Sequence, residues 1–215
     1  FILETSERAS KVTLPSKGLL YPEGHPLKSG EITMKYMTAR EEDILTNQNY
    51  IKNGTVIDKL LQALIVTDVK VDDLLIGDKN AILVAARILG YGQDYTFKYP
   101  HPDTGVEEEL TIDLTEAEDK LIDESLMING KNQFEFELPT SKMFITFKLL
   151  TQADEKLIEQ ELKGLKKINK NASPELTTRL KHVIKSVNGD PTQKTIREFI
   201  DNSFLARDSR AFRAH

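Results

Sequence analysis

The chain has 215 residues, with 29 lysines and arginines against 34 aspartates and glutamates, so its net charge is −5. Hydrophobic residues make up 39% of the chain, which is enough to bury the core of one large domain or two small ones. The mildly acidic charge argues against a general nucleic-acid binder, and the lack of cysteine excludes disulfides, thiolate chemistry and the strongest class of structural zinc site.

Neither a membrane span nor a signal peptide is visible in the sequence. No apolar run approaches the roughly 20 residues that cross a bilayer. The chain begins at Phe1 without Met and ends at His215 inside a helical pattern. We therefore expect that both ends are cropped.

The first third of the chain predicts an arm, two strands and a helix. Residues 1–10 have too few apolar positions to build a core, so we expect a mobile arm that folds on a partner. Residues 11–22 predict a short strand and a tight turn, and residues 31–37 alternate like a half-buried strand. Residues 38–41, Thr-Ala-Arg-Glu, form a capping box that starts a helix ending near Asn47.

Two further helices are predicted to form the N-terminal core. Thr55 and Asp58 begin the first, whose apolar residues recur at helical spacing. Asp78 caps the second, residues 79–89, which is apolar on almost every side and is therefore expected at the centre of this core. The residues expected to be buried together are Leu60, Leu64, Leu83 and Ile88.

Arg87 is the only charge inside this apolar helix, so we predict a structural role for it. A guanidinium that is buried or half-buried must pair with a carboxylate or with backbone carbonyls. Asp78 and an acidic residue of the first helix are the carboxylates considered.

The middle of the chain predicts antiparallel strands. Residues 95–99 and 110–114 alternate and are separated by a turn-rich stretch, which predicts a β-hairpin. Residues 134–138 and 144–147 predict a second pair. Together they predict a small antiparallel sheet inserted between helical parts.

From Thr151 onward the chain is predicted to be helical. Thr151 and Asp154 resemble a helix start, and residues 173–175, Ser-Pro-Glu, predict another. Residues 188–191 predict a break, and residues 192–214 predict one long amphipathic helix.

These patterns predict an α+β fold that is mainly helical, with a small antiparallel β-sheet in the middle of the chain. We expect three segments. Residues 1–93 hold the N-terminal arm, strands and helical core, residues 94–150 a small antiparallel β subdomain, and residues 151–215 a C-terminal helical region.

No arrangement of residues typical of catalysis or metal binding is found. The four histidines, at positions 25, 101, 182 and 215, lack partners at metal-ligand spacing, and no nucleotide-binding or hydrolase motif occurs. The acidic run at 107–109 lies on a strand register that spreads its carboxylates apart, which favours a solvated face over a cation site. An enzyme would need a convergent polar cluster. We therefore predict no catalytic residue, no cofactor and no metal.

Residues 14–22 allow two interpretations. One is a turn that covers the edge of a core. The other is a docking arm in which Lys17 is exposed and Leu20 and Tyr21 are anchors.

The arginine-rich end also allows two interpretations. Arg207, Arg210 and Arg213 recur every three residues and so share roughly one helix face, with Phe204 and Phe212 among them. The arginines either complement the dipole at a helix C-terminus or bind an acidic protein surface. In the first case, the last helix simply packs on the helix that begins near Pro174.

An ordered series of segments runs along nearly the whole chain. These are residues 14–18 with Tyr21, 44–45, 53–61, 74–78, 86–92 and 206–213. In this order and spacing they resemble the T4-type bacteriophage baseplate proteins linked to the tail hub.

The resemblance implies a structural or assembly role in the baseplate hub of a contractile tail. Its implied partners are other baseplate or hub proteins, with no nucleic acid or membrane, and an oligomeric state within the assembly is left open. The implied location is the virion tail baseplate, assembled in the host cytoplasm. The alternative is a transient chaperone or adaptor that is absent from the mature virion.

Relatives often carry a cysteine pair after the strand that residues 95–99 match, which suggests a zinc-ribbon-like tip. Here residues 100–105, Pro-His-Pro-Asp-Thr-Gly, stand at that place. A metal role is therefore not carried over from the family to this chain, and we predict none.

Overall fold

The computed structural model describes residues 3–5, 9–117, 123–127, 130–168 and 174–215. More of this chain is helix than strand, and the described strands form three small antiparallel sheets. The predicted fold class, α+β and mainly helical, is confirmed.

Eight strands and eight α-helices are described, together with short 3-10 turns and one π-helical turn. None of the helices in the described ranges is both long and apolar enough to span a bilayer. The strands are β1 Leu3–Thr5, β2 Ala9–Thr13, β3 Glu31–Lys35, β4 Asp94–Pro100, β5 Glu107–Asp113, β6 Phe134–Glu137, β7 Phe144–Phe147 and β8 Ile184–Val187. The helices are α1 Ala39–Thr46, α2 Gln48–Asn53, α3 Val56–Leu64, α4 Ile76–Tyr91, α5 Gln152–Ile168, α6 Glu175–Val183, α7 Gln193–Glu198 and α8 Ala206–Ala214.

The chain divides into two compact units. The first unit comprises Phe1–Val71 and Gly77–Ile128, and the second comprises Asp72–Ile76 and Asn129–His215. The three segments expected from the sequence change at residues 93/94 and 150/151, whereas the two units change at residues 128/129. In addition, a five-residue stretch of the N-terminal half belongs to the second unit.

The first unit contains the sheet β1-β2-β3, in which every pairing is antiparallel. Strand β2 is central, so Val12 lies opposite Leu3 on one side and Ile32 on the other. The expected mobile arm covers residues 1–10, yet Leu3–Thr5 is an edge strand of this sheet. Residues 1, 2 and 6–8 of the arm lie outside the described residues.

Caps predicted from the sequence set the start of α1. The backbone N and Oγ1 of Thr38 donate to Glu41 Oε2 over 2.9 and 2.6 Å, so the predicted capping box is confirmed. The sequence did not predict α2, which follows at once because the side chain of Asn47 accepts hydrogen bonds from the backbone of Asn49 and Tyr50.

Helix α4 turns small residues toward the core. It begins at Ile76, three residues earlier than predicted, and its buried positions are Asp78, Ala81, Ile82, Ala85 and Ala86. Leu60 and Leu64 are buried as predicted, but Leu83 and Ile88 are only half-buried. The predicted core cluster is therefore wrong in its α4 members, because α4 is not buried on all sides.

Strands β4 and β5 form the predicted hairpin. Seven residue pairs join them, from Asp94 opposite Asp113 to Pro100 opposite Glu107. The hairpin is a separate two-stranded sheet and is not joined to β6 and β7. The expectation of one sheet in the middle of the chain is therefore corrected to two.

In the second unit, β8 completes a sheet of order β6-β7-β8. The prediction that the chain is helical from Thr151 to the break at 188–191 is wrong here, since Ile184–Val187 pairs with β7 and places Val187 opposite Ile145. One apolar cluster forms the core beside this sheet. Its buried members are Leu138, Ile145, Leu180, Ile184, Val187, Ile196, Phe199, Ile200 and Phe212.

Residues 72–76 join this unit through backbone contacts. Gln152 N donates to Leu74 O over 2.9 Å, and Ile76 N donates to Leu150 O over 3.0 Å. Between them, Leu75 forms an isolated antiparallel bridge with Thr151.

The predicted last helix is interrupted. Helix α7 ends at Glu198, a π-helical turn covers Phe199–Ser203, and α8 begins only at Ala206. Phe204 and Leu205 have extended backbones between the two helical stretches. The arginine-rich end is therefore a short helix of its own.

Candidate functional site

The buried carboxylate of Asp78 holds residues 14–22 in place. Asp78 Oδ1 accepts from the backbone N of Ser16 over 3.0 Å. Its Oδ2 accepts from Ser16 Oγ over 2.7 Å and from the Tyr21 hydroxyl over 2.8 Å. Asp78 is 1% exposed, so these three donors satisfy an ionisable group that water does not reach. Asp78 was predicted to cap α4, but this helix begins at Ile76. Asp78 therefore lies inside its first turn and binds Ser16 and Tyr21 instead.

A tight turn at Lys17 and Gly18 carries the exposed tip of this segment. Their φ angles are 50° and 73°, in the left-handed region that favours glycine. A Cβ on Gly18 would lie 2.5 Å from the carbonyl oxygen of Lys28, so no other residue fits without movement of the backbone. Lys17 projects to the surface, where its ammonium forms an ion pair with Glu124.

Leu20 and Tyr21 are buried within the chain, with 6% and 4% of their surfaces exposed. The Tyr21 ring stacks on His25 with centroids 4.9 Å apart, and its hydroxyl is bound to Asp78. Neither side chain is presented to a partner. Of the three residues considered as docking contacts, only Lys17 is exposed, which favours the interpretation of a turn that covers a core edge.

At the other end, α8 is fixed by its inner face. Asp208, which is fully buried, accepts from the backbone N of Thr140 over 2.7 Å and of Ser141 over 3.0 Å. Burial by itself raises the pKa of Asp208, but the hydrogen bonds from Thr140 and Ser141 outweigh it and hold the pKa below its ordinary value. Asp208 is therefore an anion that anchors the helix to the turn after β6.

Aromatic packing completes this anchor. The ring of Phe212 lies 5.6 Å from Phe136 and 5.1 Å from Phe147, centroid to centroid. Phe204 is half-buried and stacks on Phe199 at 4.9 Å. The two predicted aromatic contacts, Phe204 and Phe212, thus pack inside the second unit and hold α8 in place.

The outer face of α8 is basic. Arg207, Arg210 and Arg213 are exposed, and within the part of the chain that the structure describes none has a carboxylate at ion-pairing distance. Arg213 Nε donates to the carbonyl of Ser209 over 3.3 Å, as the dipole interpretation expects for a helix end. Arg207 lies in the first turn of α8 and Arg210 at its middle, and the dipole interpretation assigns cations a role only in the last turn. We call these three side chains the arginine face.

Arg87 pairs with backbone carbonyls. Its Nη1 donates to Gly92 O over 3.0 Å and its Nη2 to Asp94 O over 3.2 Å. The guanidinium also lies over the rings of Tyr91 and Tyr95, 5.1 and 5.6 Å from their centroids. Arg87 therefore has the backbone form of the predicted pairing, whereas the carboxylate of the suggested partner Asp78 accepts from Ser16 and Tyr21.

The hairpin β4–β5 carries a surface that sequence reasoning missed. Every second side chain of β4 projects from the same side of the hairpin; these are Tyr95, Phe97 and Tyr99. The β5 residues opposite them on that side are Ile112, Leu110 and Glu108, in this order. Tyr95, Leu110 and Ile112 each keep 40–43% of their surface exposed. The alternation of the strand was visible in the sequence, where it predicted a hairpin but no exposed apolar side. We call these side chains the hairpin ladder.

Possible ligands for a cation are scattered. In the described ranges no group of three or more histidine, cysteine, aspartate or glutamate side chains could hold a metal ion. Glu108 leaves β5 on the ladder side, whereas Glu107 and Glu109 leave on the other side. The spread of carboxylates expected from the strand register is therefore present.

Comparison with known proteins gives one match. The family model described as T4 bacteriophage base plate protein matches residues 11–204. No curated protein and no solved structure matches the chain. The matched range includes most of each compact unit. It ends before the arginine face, which lies at the end of the second unit.

Proposed function

Because the chain belongs to the family of T4 bacteriophage base plate proteins, we propose that it is a structural or assembly component of the hub region of a contractile-tail baseplate. It acts through contacts with other baseplate proteins and not through catalysis. The observation that supports this mode of action is the arginine face, which is exposed on a helix fixed from behind by Asp208 and Phe212.

The arginine face suits a binding role better than a stabilising one. Exposed charges contribute little to folding, commonly less than about 1 kcal/mol each. Arginine is enriched at the centres of protein interfaces, where its planar guanidinium group can donate two hydrogen bonds to one carboxylate. An acidic protein surface is the partner that three exposed guanidinium groups fit.

A charge-reversal variant tests this function. Arg207→Glu, Arg210→Glu and Arg213→Glu together should leave the free energy of unfolding within about 1 kcal/mol of the parent, since the residues are exposed. In infected cells that depend on the variant, tails should fail to assemble. The matched control reverses three exposed lysines of α5, at positions 163, 166 and 167, and should assemble normally.

Two results would contradict the proposal. Unfolding of the arginine variant would mean that the arginine face serves the fold. Normal tail assembly by a folded variant would mean that no essential partner binds there.

Whether the protein stays in the tail is a separate measurement. A hub component is retained in purified virions at a fixed ratio to other baseplate proteins. A transient chaperone or adaptor is present in assembling cells and lost from virions. Quantitative mass spectrometry of purified particles distinguishes the two roles.

A further inference from the structure

The net negative charge of the chain is concentrated in the hairpin β4–β5. Between residues 94 and 113 there are six carboxylates and one lysine, a net charge of −5, which equals the net charge of all 215 residues. The rest of the chain is therefore balanced. Glu107, Glu108 and Glu109 are all exposed, so the hairpin presents this charge to solvent.

The same hairpin exposes apolar rings. The centroids of Tyr95 and Phe97 are 5.8 Å apart and those of Phe97 and Tyr99 are 6.3 Å apart, which gives a continuous row along β4. Leu110 and Ile112 extend the row across to β5. Exposed apolar patches with polar rims mark protein interfaces, and Tyr95, Leu110 and Ile112 are exposed in this way.

Arg87 shows which side-chain chemistry the hairpin ladder accepts. Its guanidinium lies between Tyr91 and Tyr95 at the base of the ladder, within 6 Å of both ring centroids (5.1 and 5.6 Å). Aromatic rings attract guanidinium groups through their negative faces, and nearby carboxylates strengthen the attraction. At the far end of the ladder, an aromatic ring and a carboxylate lie side by side. These are Tyr99 and Glu108, whose side chains are joined by a 3.0 Å hydrogen bond.

We propose that the hairpin ladder of one copy binds the arginine face of α8 of a second copy. This inference rests on the proposed function, because it names the acidic partner of the same arginine face. The two surfaces are complementary in charge: residues 204–215 carry three arginines and one aspartate, and that aspartate, Asp208, is buried. Arginines stack on the rings while Glu108, on the same side of the hairpin, accepts from one of them. The other carboxylates of the hairpin leave on the opposite side or in the turn and add to the attraction at longer range.

Pairing of two hairpins is the rival form of self-association. It would bring two hairpins, each of net charge −5, close together, and like charges across an interface are destabilising. Contact between a hairpin and an α8 avoids this repulsion. Since the two surfaces differ and every copy carries both, the contact builds either a closed pair with two such contacts or rings and open chains of subunits.

A charge-swap experiment tests the pairing directly. Variant A carries Glu107→Lys, Glu108→Lys and Glu109→Lys, and variant B carries the three arginine-to-glutamate changes at 207, 210 and 213. Sedimentation velocity at low salt should show self-association of the parent protein, weakened by about tenfold or more in A and in B alone. An equimolar mixture of A and B should associate again, because the intact arginine face of A matches the intact hairpin of B and the two reversed surfaces match each other.

Circular dichroism and urea unfolding establish that both variants are folded. The lysine-reversed α5 variant described above should associate like the parent protein. A second ladder variant, Tyr95→Ser with Leu110→Ser, should weaken association while changing no charge.

Three outcomes overturn the inference: a parent protein that is monomeric at every concentration, a variant A that associates like the parent, or a mixture of A and B that stays monomeric. If variant A supports normal tail assembly while variant B does not, the inference fails and the proposed function stands. If neither variant affects assembly, the proposed function fails as well.

Discussion

The hydroxyl of Ser16 donates a 2.7 Å hydrogen bond to the carboxylate of Asp78, which lies 62 residues further along the chain. Both residues are buried, and the Tyr21 hydroxyl donates to the same carboxylate oxygen. One side chain of α4 therefore fixes the path of the loop between β2 and β3.

Asp78→Asn should destabilise the first unit. An amide offers one acceptor oxygen and turns N–H groups toward donors, so at least one buried hydrogen bond is lost. Bonds to charged groups are worth about 1.5–3 kcal/mol, and we expect a loss of about that size in urea unfolding. Asp73→Asn, at an exposed carboxylate, is the control and should change stability by less than about 0.5 kcal/mol. Equal effects of both changes would mean that the buried hydrogen bonds add nothing.

Glu41 should make stability depend on pH in the acid range. Hydrogen bonds from Lys35 and Thr38 outweigh burial and lower its pKa from 4.5 to about 2. Since the folded state favours the charged form, the stabilisation is complete above pH 4.5 and is lost as the pH falls toward 2.

The variant Glu41→Gln should therefore be less stable than the parent at pH 7, by about 1–3 kcal/mol. This difference should shrink between pH 5 and pH 2, measured by urea unfolding at each pH. Asp43→Asn, an exposed change in the same helix, should show no comparable trend. A difference that stays constant with pH would mean that the charge of Glu41 is not involved.

Arg87→Lys should loosen the base of the hairpin. Lysine cannot reach Gly92 O and Asp94 O with two nitrogens and cannot stack flat between Tyr91 and Tyr95. We expect a loss of about 1–2 kcal/mol and faster hydrogen exchange of the hairpin amides. The exposed Arg40→Lys serves as control. Unchanged exchange in the Arg87 variant would mean that β4 and β5 need no support from α4.

Two leucines should differ in what they contribute to the first core. Leu61 is fully buried, and Leu61→Ala should cost about 2–5 kcal/mol. Leu83 is half-buried, so Leu83→Ala should cost about half as much or less. Calorimetric melting compares them, and a larger loss for Leu83 would contradict the burial pattern of α4.

Local signals were the part of this fold that the sequence could predict. The capping pair of Thr38 and Glu41 and the alternation of β4 and β5 depend on residues a few positions apart, and both were found where predicted. The amide of Asn47, a further local cap, was overlooked.

Long-range contacts decided the rest. The strand at 184–187 follows α6 without a glycine or proline and exists because β7, about 40 residues earlier, offers a pairing edge. Residues 192–214 have apolar residues at helical spacing throughout. The helix is nevertheless interrupted at Phe204, whose ring stacks on Phe199. At the arginine face, the exposure of all three side chains follows from Asp208 binding residues 140 and 141, which no local pattern reveals.

The position of residues 72–76 has a consequence for synthesis of the chain. Leu74 and Ile76 are made early, but their backbone partners, Gln152 and Leu150, emerge from the ribosome more than 70 residues later. At typical rates of roughly 5–20 residues per second, this stretch waits several seconds without them. The nascent chain can complete its N-terminal sheet in that interval, but not the second unit. A nascent chain stalled in this interval would have Leu74 and Leu75 but not yet residues 151 and 152, which contact them in the folded protein. A chaperone that binds apolar segments would therefore bind the nascent chain best in this interval.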